Sequence, residues 1–541
     1  MSVRHRKTAT FMLVTLLLLS VILGCAKQEN TPASTSTNGT ANEKSITLSW
    51  PRDIGTMNPH VYNPSQLFAQ SMIYEPLVSY KQGGKLEPAL AESWTISKDG
   101  KTYTFKLRKG VKFSDGTLFN AAIVKKNFDA IMKNEKTHSW LGIVGVLDKT
   151  EAVDDSTFRM TLKEPYYPVI QDLSVVRPFR FLGEAGFPDD GDTSKGIKKP
   201  VGTGPWMLDE YKQDEYATFK RNPNYWGTAP KVDKITVKII PDGETRVMAF
   251  EKGDLDLIYG EGVISLDAFK QLRDTNQYVT TLSEPVGTRS LLLNSSNPKL
   301  ADLRVRLALQ HGFNKQAMVE GVTSGLEETA DTVLSKNYPY TNVDLQPIGY
   351  DVEKSKALLD EAGWKLPAGG TVREKEGQQL DFELIFDKTD PIQKAMAETI
   401  QAEWGELGVK VNLTGLELTV QIKRLRSNQF DLYFWYNYGA PYDPHSFINV
   451  IAKKSFGISE VLSALPMKKN LDQQVHEALS STDETKRQEL YASILKTLQE
   501  QSAIVPISYI KKTAVYQKKI TNFVFPANRD ENPFEGIEIG K

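Results

Sequence analysis

The sequence predicts an α/β protein of more than one domain, and three observations carry that reading. The stretch "LDFELIFDKTDPIQKAMAETIQAEWGELGVKVNLTGLEL" reads as strand, helix, strand. Strand-like alternation and helical periodicity are mixed along the rest of the chain. Finally, about 500 residues remain once the N-terminus is set aside, more than one hydrophobic core holds, so two or three domains are expected.

In the first of these, a strand over Phe382–Phe386 is followed by Asp390 as helix cap and Pro391 in the first turn. The helix runs to about Leu407, Gly408 stops it, and Lys410–Thr414 reads as a second strand. Strand–helix–strand implies a parallel layer covered by helices. Elsewhere "SITLSW" (Ser45–Trp50) alternates as a strand. In "KTYTFKLRKGVKFSDGTLF", Tyr103, Phe105 and Leu107 alternate, and turns at Lys109–Gly110 and Asp115–Gly116 predict β-hairpins. Helical periodicity follows Asn120, a natural N-cap. "DLRVRLALQHGF" and "DVEKSKALLDEAGW" read as two more helices, the second closed by Gly363.

The N-terminus reads as an export signal rather than as fold. Arg4, Arg6 and Lys7 precede the apolar run Phe11–Leu23, which is too short to span a bilayer comfortably. Its end, "ILGC", resembles a lipobox, which makes Cys25 the expected site of lipidation. Cys25 is the only cysteine, so no internal disulfide and no thiolate metal site is expected. The small, polar residues after it read as a flexible tether. With 66 basic and 67 acidic residues the net charge is −1, and nothing marks a nucleic-acid partner.

Catalytic signatures are scarce. The chain has no G-x-x-x-x-G-K-[ST] loop and no G-x-S-x-G elbow, the Ser of "GVTSG" standing one place off. "HEALS", from His476, lacks the second His of a zinc-protease helix. The six His (5, 60, 138, 311, 445 and 476) include no pair at ligand spacing. The aromatic-rich "WYNYGAPYDPHSF" (435–447) holds Asp443 and His445, which could ligate a metal or shape the loop.

Four blocks in order identify the chain as similar to one family over nearly all of its mature length. "LEPALAESWTISKDGKTYTFKLRKGVKFSDG" (86–116) resembles the signature of the peptide/nickel class of ABC-importer substrate-binding proteins (solute-binding protein family 5). "PVGTGPW" (200–206) with "RNPNYW" (221–226), "DLRVRLAL" and "YDVEKSKALLDEAGW" resemble its later blocks. "MNPHVYNPSQLFAQSMIYEPLV", "RPFRF", "GAPYDPHSF", "STDETKRQELY" and "PISYI" resemble its nickel- and metallophore-binding branch.

The resemblance implies an α/β, two-lobed periplasmic-binding-protein-like fold (class II, cluster C) that closes on its ligand about a hinge. It places the signal peptide at 1–24, the tether at 25–44, lobe I with an inserted subdomain at 45–284, lobe II at 285–509 and a C-terminal return to lobe I at 510–541. It implies a non-enzymatic, extracytoplasmic lipoprotein, monomeric, that passes a nickel or related transition-metal chelate to a permease served by a separate ATPase. An oligopeptide or dipeptide receptor is the alternative. No cofactor is implied beyond the lipid, and the metal is held through its chelator rather than by direct protein ligands.

Matched positions make Arg177 the holder of a chelator carboxylate. Trp140, Tyr62, Tyr442 and Tyr438 become walls of the pocket. Leu67 stands where the branch has a pocket Met, Thr137 replaces a second Arg, and Phe456 falls where the branch has its nickel-ligating His. His138 matches a family His that is not a ligand. Peptide receptors of the class often carry an Asp where this chain has Ala440, and a buried ammonium without a carboxylate would be costly. With the rings as wall, Asp443 and His445 are expected only to shape their loop.

Overall fold

The computed structural model describes residues 43–61, 67–437, 442–453 and 457–540. Two large sheets organise them. The first, seven-stranded, has the order Val279–Leu282, Thr513–Tyr516, Leu257–Gly260, Ser45–Trp50, Lys234–Ile239, Tyr216–Arg221, Trp206–Lys212. The second, six-stranded, has the order Glu328–Thr329, Ile504–Ile510, Gly287–Leu293, Leu432–Asn437, Asp381–Asp387, Lys410–Leu416. The chain passes between them twice, from Leu282 to Gly287 and from Ile510 to Thr513. These two connections lie side by side: Ser283 N donates to Lys512 O (3.0 Å) and Val286 N to Ile510 O (2.9 Å).

Side-chain alternation explains why both sheets are covered on both faces. On Gly287–Leu293, Leu291 and Leu293 enter one core while Leu292 enters another. Phe382, Leu384 and Phe386 oppose Ile385 in the same way, and Leu432 and Phe434 oppose Tyr433. In the first sheet, Leu257, Tyr259, Ala514 and Tyr516 face the core shared with Ile46, Leu48, Ile235 and Val237. Ile258 and Val515 face the opposite side.

The strand–helix–strand unit forms as its sequence indicates. Asp390 accepts from Ile392 N (2.9 Å) and Gln393 N (3.1 Å), the helix spans Pro391–Glu406, and Gly408 takes a φ of +81°. Asp381–Asp387 then pairs in parallel with Lys410–Leu416. Asn120 caps the helix Ala121–Lys133 through Ile123 N (3.0 Å). The helices Leu303–His311 and Val352–Glu361 also form where expected.

One local expectation needs correction. Thr102–Leu107 makes no hairpin across Lys109–Gly110, because Ala91–Ile96 and Thr157–Leu162 already occupy its two edges in a separate four-stranded sheet. The Asp115–Gly116 turn does close a short pairing, reduced to a single bridge between Lys112 and Leu118. That four-stranded sheet contributes Tyr103, Phe105, Phe158 and Met160 to the core of the first lobe. Among the described residues no helix is long and apolar enough to cross a membrane.

Candidate functional site

Arg177 follows the short helix Val169–Ser174 and is 7% exposed. Its guanidinium carbon lies 6.0 Å from the ring centroid of Trp140, within cation–π range. Trp140 is half-buried and packs against the core of the first lobe. Next to them, His138 is buried, and its Nε2 lies 2.9 Å from the His60 carbonyl. Burial holds the His138 imidazole below its ordinary range, the bond to His60 opposes that, and the Arg177 charge adds to the lowering. A neutral imidazole beside a fixed guanidinium leaves the positive charge of the site on Arg177.

From the second lobe the helix Pro444–Ala452 approaches this wall. Asp443 caps it through His445 N (3.2 Å), and Asn449 Nδ2 lies 3.5 Å from the Trp140 carbonyl. Tyr442 is 1% exposed. Its hydroxyl lies 2.6 Å from Thr288 Oγ1, accepts from Ser335 N (3.2 Å), and its ring packs edge-on against Tyr338. That hydroxyl is thus engaged within its own lobe. Leu67 is the half-buried first residue of the helix Leu67–Ile73. The structure therefore brings Arg177, Trp140 and His138 together, with the helix after Tyr442 reaching the Trp140 carbonyl through Asn449. Tyr62, Tyr438, Ala440, Phe456 and the lipidation candidate Cys25 lie outside the described residues.

Asp443 and His445 do more than shape their loop. His445 Nδ1 lies 2.7 Å from Asp443 Oδ1, and its Nε2 lies 3.0 Å from Oδ1 of Asp172 in the first lobe. Tyr80, also of the first lobe, donates its hydroxyl to Asp443 Oδ2 at 2.7 Å. Burial alone would lower the His445 pKa. The Asp443 charge and the bonds to Asp172 and Asp443 outweigh it, and the value rises to about 9. Sequence reasoning missed this cluster because its partners stand hundreds of residues apart. Among the described residues, no group of three or more His, Cys, Asp or Glu side chains is placed to hold a metal ion.

Two α/β lobes joined by paired connections, with a buried guanidinium and an indole where the second lobe meets the first, define a solute-binding protein. The chain belongs to the bacterial extracellular solute-binding proteins, family 5, whose model matches residues 85–457. It is 43% identical over 494 residues to the nickel-binding periplasmic protein of Escherichia coli K12, covering 91% of this chain and 94% of that one. The crystal structure of NikA from Brucella suis in complex with Fe(III)-EDTA superposes with a TM-score of 0.89 at 44% identity, covering 92% of this chain and 100% of that one. The dipeptide-binding protein of E. coli K12 is more distant, 27% identical over 510 residues, covering 89% of this chain and 92% of that one.

Proposed function

We propose that this chain is the lipid-anchored receptor of an ABC importer, capturing nickel or a related transition metal as a chelate. In this reading Arg177 takes a chelator carboxylate in a bidentate pair, and Trp140 packs on the chelator's flat face. The chelator supplies the metal's ligands. Lobe I (45–284 and 510–541) and lobe II (285–509) close on the chelate and present the joined surface to the permease. Cys25 holds the body, as a monomer, at the outer face of the membrane.

The observation that carries the reading is the buried Arg177 guanidinium beside Trp140. A buried cation of this kind selects an anionic ligand, and a metal chelate with free carboxylates is one. The relatives that bind nickel or Fe(III)-EDTA support the metal half of the reading.

Isothermal calorimetry with nickel chloride alone, nickel with two equivalents of L-histidine, Fe(III)-EDTA and a set of dipeptides tests it. Chelates should bind, and Arg177→Ala should weaken them by at least about a hundredfold, the scale for truncating one partner of a buried charge pair. Tight binding of bare nickel would remove the chelator from the proposal. Tight binding of dipeptides would replace it with the peptide-receptor reading.

A further inference from the structure

We propose that Tyr80, Asp172, Asp443 and His445 form a bolt that holds the two lobes closed. Tyr80 and Asp172 belong to the first lobe: Tyr80 ends the strand Val78–Tyr80, and the Asp172 helix packs Val169, Ile170 and Leu173 into that lobe's core. Asp443 and His445 open a helix that packs Phe447, Ile448 and Ile451 into the second lobe's core. The imidazole bridges a carboxylate of its own lobe and one of the other. The Tyr80 hydroxyl returns across the boundary to the same Asp443. All four side chains are buried.

Charge makes the arrangement conditional on contact. Two buried carboxylates facing a neutral imidazole would carry two uncompensated charges, whereas an imidazolium between them leaves one, spread over several donors. The groups around the imidazole agree. Asp172 comes from the helix Val169–Ser174, Tyr80 from its strand, and Tyr166 and Tyr167 from the segment between sheet and helix. Tyr491 and Tyr338 come from the second lobe, and Lys453 stands at the far end of the His445 helix. Burial, together with the neighbouring acids and phenols, pushes the pKa values of these tyrosines up, so they stay neutral and His445 remains the group that compensates the acids. Separating the lobes would take Asp172 and Tyr80 away from the Asp443–His445 pair and return both halves to water. A second crossing, Tyr167 to Tyr491 (2.7 Å between hydroxyls), flanks the first.

The bolt is also continuous with the candidate site. The other oxygen of Asp172 accepts from Ile143 N (3.0 Å), three residues after Trp140, and Asn449 of the bolt helix approaches the Trp140 carbonyl. A ligand that seats Trp140 and Arg177 thereby favours the same lobe contact the bolt requires, and this supplies the differential contact that closure needs. This link to ligand rests on the proposed function; the bolt itself does not.

Amide hydrogen exchange on the full chain tests it, with Tyr80→Phe and Asp172→Asn in the first lobe and His445→Gln in the second. Each first-lobe variant should raise exchange in the second-lobe helix Pro444–Ala452 about tenfold at pH 7, the effect of losing one charge-assisted hydrogen bond. His445→Gln should do the same to Val169–Ser174. Exchange unchanged across the lobe boundary overturns the bolt, and should His445→Gln fail to fold, the two first-lobe variants decide. In the wild type this exchange, divided by the intrinsic base-catalysed amide rate at each pH, should speed up as pH rises from 6.5 to about 9, and Asp172→Asn should flatten that normalised profile. A wild-type profile retained in that variant also overturns it. Fe(III)-EDTA and nickel–histidine then serve as probes, and either should leave Tyr80→Phe about tenfold faster than wild type. Equal release rates overturn the link to ligand. If neither probe binds the wild type, the proposed function falls while the exchange comparison still decides the bolt.

Discussion

His445 makes stability depend on pH in a direction that can be stated in advance. Its folded-state pKa of about 9 stands above the ordinary 6.5, so the folded protein holds the proton more tightly than the unfolded chain. The stabilisation is fully present below pH 6.5 and is lost as pH rises through about 9. The gap between the two values corresponds to about 3 kcal/mol. His445→Gln removes the titration. It also leaves two buried acids without a cation, but that cost is shared by both pH values and cancels in the comparison. If a lobe of about 250 residues unfolds as one body, its unfolding entropy turns 3 kcal/mol into about 6 °C. Thermal unfolding of wild type and variant at pH 6 and pH 10 should therefore show a melting-temperature gap about 6 °C wider at the lower pH. Other titrating groups act on both proteins alike and drop out of that difference. A gap of equal width at the two pH values refutes the assignment of the proton to His445.

Two further predictions concern the frame around the site. Asp390→Ala removes both N-cap hydrogen bonds of the helix Pro391–Glu406 and the acceptor of the Tyr436 hydroxyl (2.6 Å), and should cost about 2 kcal/mol, read as a fall in melting temperature of about 4 °C. Glu75 governs a second pH window. Burial pushes its carboxyl up to about 7 against the hydrogen bond from Trp226 Nε1 (2.8 Å), so its contribution is present below pH 4.5 and lost as pH rises to about 7. Glu75→Gln should flatten that part of the stability–pH curve, and a curve unchanged from wild type counts against the assignment.

What was legible in the sequence was what local chemistry encodes. Asp390, Pro391 and Gly408 mark a helix from cap to stop, and alternation on Phe382–Phe386 marks a buried strand. The hairpin expected at Lys109–Gly110 failed because a turn dipeptide reports backbone preference and not which strands already flank the neighbouring segment. Ala91–Ile96 and Thr157–Leu162 had taken both edges of Thr102–Leu107. The site divides in the same way. Arg177 and Trp140 could be named from matched motifs, and the structure sets them 6.0 Å apart. The lobe contact carried no local signal, since the Asp172 that faces His445 lies 273 residues away.

The same contact bears on which ligand the cleft accepts. With Ala440 standing where peptide receptors of the class often carry an Asp, Asp443 is the acid left in that loop to pair with a peptide's α-ammonium. Both of its oxygens are already taken, Oδ1 by the His445 ring and Oδ2 by the Tyr80 hydroxyl. Turning it toward an ammonium would strip the imidazolium of its own-lobe partner and leave Tyr80 without an acceptor, a cost that grows with burial. A peptide held through Asp443 would thus have to break the lobe contact. An anionic chelate held, as proposed, by Arg177 on the first lobe makes no such demand and leaves Asp443 where it is. Tyr80→Phe separates the cases: it frees one oxygen of Asp443, so a peptide receptor should gain dipeptide affinity from it, while a chelate receptor should only release its ligand faster.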